Sequence, residues 1–299
     1  MELQQLKTFM AVAEVNSFTK AAQLLDYAQS SISAQVRSLE DELGIKLFER
    51  IGRGICPTQE GKRLLIYAKQ LIDLAAEAKE SLMGDNLPQG TLTIGAPESL
   101  SIFKLPALLQ AYKESYPKVK LILKLGKCCD IYGWIRDNTV DIGFMLSPPI
   151  SAGDINMEKL SHEVMTLVAS RSHPLANKGT CAPENLMGED LIQIEEPDCC
   201  YRLIFEAQLR EAGIQPGSVF EFGSVETTKK CVMSGLGISM LPQMTVEQEI
   251  AAGQLEDLGW TGSDFNIYTQ MIYHKGKWLS PALTALIQLS REILIADLS

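Results

Sequence analysis

The stretch "SFTKAAQLLDYAQSSISAQVRSLEDELGIKLFER", residues 17–50, holds two apolar patterns separated by a very short polar break. In its second half Ile32, Val36, Leu39 and Leu43 recur at intervals of four, three and four, which draws one apolar stripe along an α-helix and predicts that all four are buried. At about 100° per residue the opposite face carries Ser30, Ala34, Arg37 and Ser38, with Ser33 on one flank and Gln29 at the N-terminal end. Phe18, Ala21, Ala22, Leu24 and Leu25 form a shorter amphipathic helix, and Ser17 stands where an N-cap accepts a backbone N–H. Only Asp26, Tyr27 and Ala28 separate the two helices. Upstream, Leu3, Leu6, Phe9, Met10 and Ala13 supply a third helix for the pair to pack on.

Three short helices with a tight turn before the last describe a helix-turn-helix, whose second helix lays its outer face in the major groove of DNA. Periodicity alone fits a small helical subdomain with a solvated face equally well. The continuation "LGIKLFERIGRGICPTQEG" favours the DNA reading, because Arg50 and Arg53 accompany two glycines in a short turn. Such a basic wing can reach the phosphate backbone or the minor groove.

In order and spacing, "FTKAAQLL", "SSISAQVRSLEDELGIKLFER" and "PTQEG" resemble the DNA-binding domain of LysR-type bacterial transcriptional regulators. The resemblance implies a winged helix-turn-helix over residues 1–58 that reads an interrupted palindrome in double-stranded DNA. Its expected contacts are Ser17, Gln29, Ser30, Ser33 and Arg37 on the helices and Arg50 and Arg53 on the wing. Two positions depart from the family pattern. Ala28 replaces the usual Ser or Thr cap of the recognition helix, at a cost of about 1 kcal/mol. Ala34 stands where many members carry a basic residue, and its methyl can touch a thymine methyl but cannot donate to guanine.

A chain of 299 residues suggests two or three domains, and a hydrophobic content of 46% supports ordinary globular folding. The net charge of −10 argues, taken alone, against nucleic acid. Distribution decides otherwise: residues 1–65 hold eight basic and eight acidic side chains, so the excess acid lies wholly beyond them. Modest non-specific affinity follows, and with it a need for dimerisation. No apolar run approaches a membrane span and no signal-peptide pattern opens the chain, so a cytoplasmic protein without a membrane partner is expected. Seven cysteines, an odd number in a large chain of that compartment, read as free thiols.

After Thr58, a candidate N-cap, the positions Leu64, Ala68, Leu71, Ala75, Ala78 and Leu82 alternate in steps of four and three, a heptad seam suited to pairing with a second copy. A single helix lying on its own domain is the alternative. The linker helix and hinge are assigned to residues 59–90, ending at "MGDNLPQG". From Thr91 onward strand and helix patterns alternate, which predicts an α/β domain with a mostly parallel sheet. A weak repeat of the order makes two subdomains, residues 91–161 with 268–299 and residues 162–267. "IGAPESL", "VDIGFM", "EEPDCCYRLIFEAQL" and "GLGISMLP" resemble the periplasmic-binding-protein-like effector domain of the same family. That resemblance implies a small-molecule effector between the two halves, a homodimer that assembles to a homotetramer, and RNA polymerase as a further partner to consider.

Strand ends nominate the effector contacts: Ser99, Leu100 and Ser101, then Cys128 and Cys129, Ser147, Cys199, Cys200 and Tyr201, and Ser224. Hydroxyls and backbone N–H groups at helix starts favour an organic anion. The two adjacent cysteine pairs admit a second reading, thiol-redox or metal sensing by Cys128, Cys129, Cys199 and Cys200. Adjacent thiols rarely reach one ion together, which weighs against metal. The three histidines are scattered, and no HExxH, GxSxG or phosphate-loop motif is present. An enzyme is therefore not expected, nor is a cofactor, and an exported solute-binding protein would leave the helix-turn-helix unexplained.

Overall fold

The computed structural model describes residues 1–51, 54–83, 87–149, 153–176, 178–194 and 198–295. Two compact units divide the chain, Met1–Asn86 forming nearly all of one and Leu87–Arg136 with Val140–Ser299 the other.

The first unit runs α1 (Leu3–Val15), α2 (Phe18–Leu25), α3 (Gln29–Leu43), the antiparallel hairpin β1 (Phe48–Ile51) and β2 (Gly54–Pro57), and α4 (Gln59–Met83). Ser17 caps α2 by accepting the Lys20 N–H at 3.3 Å. α3 opens on Ala28 without a side-chain cap and closes on Gly44, whose φ of 67° suits glycine. Ile32, Val36 and Leu39 are buried as their period predicts, but Leu43 is exposed and Glu40 occupies a buried place instead. Glu40 turns inward because its carboxylate accepts the Leu47 N–H at 2.9 Å and the Phe48 N–H at 3.4 Å and pairs with Lys46 at 2.6 Å. Leu3 is exposed as well, and α1 buries Leu6, Phe9 and Val12.

Thr58 fastens α4 to the hairpin, accepting the Gly61 N–H at 3.0 Å and donating to the Lys46 carbonyl at 2.8 Å. A Cβ on Gly61 would stand 2.3 Å from the Leu47 carbonyl oxygen, so only glycine permits this approach. The expected heptad seam splits along α4. Ala68 is fully buried beside Leu6, Phe9, Leu39 and Leu47, and Leu64 packs on the same cluster. Leu71 is exposed, Ala75 half-buried and Ala78 exposed, while the side chain of Leu82 lies outside the described residues. The apolar stripe left open within this unit is Tyr67, Leu71 and Leu74, one helical face away from the buried pair.

The second unit begins β3 (Gly90–Ala96), α5 (Glu98–Phe103), α6 (Leu105–Ser115), β4 (Val119–Leu125), α7 (Cys128–Arg136), β5 (Ile142–Ser147) and β6 (Ile155–Glu163). It continues β7 (Met165–Ser170), β8 (Leu191–Ile194), α8 (Cys200–Glu211), β9 (Val219–Phe222), α9 (Val225–Met233), β10 (Ser239–Pro242), α10 (Glu247–Ala251), β11 (Leu255–Asp257), β12 (Ile267–His274) and α11 (Pro281–Leu294). One sheet has the order β4-β3-β5-β12-β6, a second β10-β7-β11, and a third the pair β8-β9. An isolated parallel bridge, Leu191 to Ile238, sets the β8-β9 pair beside the approach to β10.

The mostly parallel sheet expected from alternation is corrected: β3-β4, β3-β5 and β8-β9 are parallel, whereas β12 pairs antiparallel with β5 and β6, and β7 antiparallel with β10 and β11. The parallel pairs β3-β4 and β8-β9 are each joined by helical crossovers, α5 with α6 and α8 respectively. The border expected between residues 161 and 162 falls inside β6, which runs unbroken past it. Where β6 meets β12, buried Glu163 pairs with Lys104 and accepts the Ser161 and Thr269 hydroxyls at 2.6 Å each. Among the described residues no helix is long and apolar enough to cross a membrane.

Candidate functional site

On the first unit, Gln29, Ser30 and Arg37 are exposed and Ser33 is half-buried along one face of α3. Arg50 is exposed on β1, and Arg53 lies outside the described residues. Ser33, Arg37, Lys46 and Arg50 share a shallow groove of about 350 Å³ with Phe18, Phe48 and Ile55. Arg37 and Arg50 enter no ion pair among the described residues, so both guanidinium groups are free for phosphate or base edges. Ser17 uses its oxygen to cap α2, a role that orients the helix and leaves the hydroxyl hydrogen available for a phosphate. Sequence reading passed over Glu40 and Lys46, which tie α3 to the hairpin; the only signal for Glu40 was its place beside the apolar stripe.

The second unit holds a cavity of about 420 Å³ lined by the starts of α5, α7, α8 and α9 and the end of β5. Ser99, Cys128, Cys129, Ser147, Cys199, Cys200 and Tyr201 all line it. Leu100, Ser101 and Ser224 are not among its lining residues. α5 begins at Glu98, so the helical turn sends Leu100 into the core, and the Ser101 hydroxyl bonds back to the Pro97 carbonyl at 2.9 Å. The Ser224 hydroxyl is taken by Glu98 at 2.7 Å. Glu98, Lys127, Tyr132, Met145, Leu146 and Asp198 complete much of the wall and were not foreseen, since nothing in their local pattern separates them from surface or core.

Besides the short α5, three helix starts meet this space. Cys128 and Cys200 are themselves the first residues of α7 and α8, so the paired cysteines mark helix N-termini. Those ends carry partial positive charge, and at α7 the Asp130 carboxylate accepts the Lys127 N–H at 3.3 Å. The N-terminus of α9 is already filled: the Glu98 carboxylate accepts the Val225 N–H at 2.9 Å alongside the Ser224 hydroxyl. Ser99 is only 5% exposed, and its hydroxyl makes no hydrogen bond among the described residues. The one cation of the wall, Lys127, enters no ion pair among them either.

None of the cysteines is in a disulfide, and Cys128 and Cys200 both donate to the Leu146 carbonyl, at 3.7 and 3.1 Å. Burial pushes the Cys200 thiol far above its ordinary range, and the neighbouring Cys199 and Cys128 add to that. A thiol so held does not supply thiolate at neutral pH. Among the described residues no group of three or more His, Cys, Asp or Glu side chains is arranged to hold a metal ion. The His173 ring is structural, accepting the Leu175 N–H at 3.2 Å and lying 3.3 Å from Glu189.

Comparison with known proteins places both units. Residues 3–62 match the family described as bacterial regulatory helix-turn-helix protein, lysR family, and residues 85–294 match the LysR substrate binding domain. The chain is 40% identical to the uncharacterized HTH-type transcriptional regulator YwqM of Bacillus subtilis, over 98% of this chain and 99% of that one. It is 31% identical to the HTH-type transcriptional regulator GltR of the same organism, over 98% and 97%. Among solved structures, full-length OxyR from Pseudomonas aeruginosa aligns with a TM-score of 0.77 at 23% identity, over 98% of this chain and 94% of that one. CbnR complexed with its target DNA aligns with a TM-score of 0.66 at 24% identity, over 98% and 99%. The two structural likenesses speak for the fold alone.

Proposed function

Because this chain belongs to the LysR family of DNA-binding bacterial transcriptional regulators, we propose that it is a cytoplasmic, non-enzymatic switch that reads an interrupted palindrome as a homo-oligomer and answers to a small organic acid. Recognition rests on Gln29, Ser30, Ser33 and Arg37 in the major groove, with Arg50 and Arg53 on the flanking backbone or minor groove. Pairing of two copies runs along α4 through Tyr67, Leu71 and Leu74, and further assembly to a tetramer goes through the effector units.

The observation that supports an acid effector is the convergence of the starts of α7 and α8, positive ends of their helix dipoles, with Lys127 and the Ser99 hydroxyl, unbonded among the described residues, in one cavity of about 420 Å³. Backbone N–H groups at helix starts bind a carboxylate without a dedicated arginine. Thiol-redox sensing is the weaker reading, given the burial of Cys200, and metal sensing lacks a ligand set among the described residues.

Footprinting of the full chain on its own upstream region, with and without a panel of carboxylic acids, tests both parts. Protection of a dyad sequence whose length changes with one acid is the expected result. Affinity for that region no greater than for random DNA would refute the operator assignment. Footprint length matters because an effector can redistribute bound states while leaving affinity nearly constant.

A further inference from the structure

The cavity is not a plain anion site. Among its described lining residues two carboxylates, Glu98 and Asp198, share the wall with one ammonium, Lys127, and no arginine is present. Asp198 is exposed and forms no ion pair among the described residues. Glu98 is fixed: the Ser224 hydroxyl and the Val225 N–H hold one oxygen each, at 2.7 and 2.9 Å. Each oxygen keeps a further lone pair. The third helix start of the cavity is thus occupied by the protein's own carboxylate, which denies that position to a ligand acid and offers it to a cation.

The remaining surface is largely apolar, built from Tyr132, Met145, Leu146, Ile194 and two prolines. In such surroundings unbalanced charge is costly. A simple carboxylate would add a negative charge to a wall that already carries one in excess, and a dicarboxylate two. A ligand with a carboxylate for Lys127 and Ser99, and an ammonium for Glu98 and Asp198, enters as a neutral molecule and satisfies both kinds of group.

Building on the acid-effector reading, we infer that the ligand is a zwitterion of the α-amino-acid class carrying an apolar side chain. Glu98 is then the residue that selects for the amino group. Met145, Leu146 and Ile194 receive the side chain. A cavity of about 420 Å³ lies near the small end of ligand sites, in keeping with a single amino acid rather than a peptide.

Matched probes separate this inference from the reading beneath it. Calorimetric titration of the full-length protein would compare leucine with isocaproate, valine with isovalerate, and phenylalanine with hydrocinnamate, each pair differing only in the amino group. At least one amino acid is expected to bind ten-fold or more tightly than its partner acid. Glu98→Gln keeps a carbonyl acceptor for Val225 but loses the charge, and should erase that preference while leaving the acid's affinity equal or higher. Asp198→Asn, at an exposed position without an ion-pair partner among the described residues, should weaken the same preference several-fold and serves if the Glu98 variant folds poorly. Acids that bind as well as their amino acids to the wild type would overturn the zwitterion and leave the acid-effector reading standing. Failure of every probe in both classes at millimolar concentration would count against the acid-effector reading itself.

Discussion

Glu40 of the recognition helix accepts the backbone N–H of Leu47 at 2.9 Å, so the helix and the wing are joined by a buried carboxylate rather than by apolar contact alone. Burial by itself would raise the Glu40 pKa, but the Lys46 ammonium and the N–H groups of Leu47 and Phe48 outweigh it and hold the carboxyl below its ordinary value of 4.5. A carboxyl depressed on folding stabilises the folded state fully above its unfolded pKa and loses that contribution as pH falls through the lower, folded value. The first unit should therefore melt at progressively lower temperature below about pH 4.5. Glu40→Ala should flatten that dependence and cost roughly 1–3 kcal/mol at neutral pH by leaving the buried Leu47 N–H unpaired. Thermal melts across pH, followed on wild type and variant, measure both effects.

Arg37 and Arg50 are both exposed, yet their substitutions should differ in kind. Arg50→Ala is expected to weaken binding to all sequences alike and to lower the slope of log affinity against log salt by about 0.9 for one lost phosphate contact. Arg37→Ala should cost roughly 1–3 kcal/mol on the operator and little on random DNA, as loss of a base-edge contact does. Fluorescence anisotropy over a salt series distinguishes them, and equal losses on both DNAs would place Arg37 on the backbone.

Leu71 and Ala68 sit three residues apart on α4 but face different surroundings, Leu71 exposed and Ala68 buried in its own unit. Leu71→Asp should leave the first unit folded and convert the oligomer to a smaller species in light scattering. Ala68→Asp should instead unfold that unit, since a charge would be buried among Leu6, Phe9 and Leu39. A wild type that is monomeric at micromolar concentration would remove Tyr67, Leu71 and Leu74 from the proposed interface.

Cys129 is exposed and Cys200 is not, and burial holds the Cys200 thiol protonated. Iodoacetamide at about pH 8 should alkylate Cys129 readily and leave Cys200 unmodified until denaturant is added. Peptide mass mapping over time reads the order. Early modification of Cys200 would revive the thiol-sensing alternative.

How far the sequence carries this protein can be judged at α3. Period and composition alone laid out the helix, its turn, its outer polar face and the wing, because a short helical unit takes its faces from the spacing of apolar residues. The same period misassigned Leu43 and passed over Glu40, for a stripe cannot register that two backbone N–H groups of a following strand need an acceptor at that point. In α4 the sequence supplied a seam of correct spacing, and only packing on Leu6, Phe9, Leu39 and Leu47 revealed which part of it is spent inside one chain.

The cavity of the second unit shows the same division more sharply. Strand ends located Ser99, Ser147 and both cysteine pairs, since in an α/β fold the chain offers its loops and helix starts at that edge. The carboxylate that gives the cavity its character, Glu98, came into view only in three dimensions, because its partners Ser224 and Val225 stand 126 and 127 residues away. Local pattern fixes which way a side chain faces along its own helix or strand. Which distant donors it meets, and therefore whether a carboxylate is a surface charge, a structural tie or part of a binding wall, depends on the packing of elements far apart in the chain.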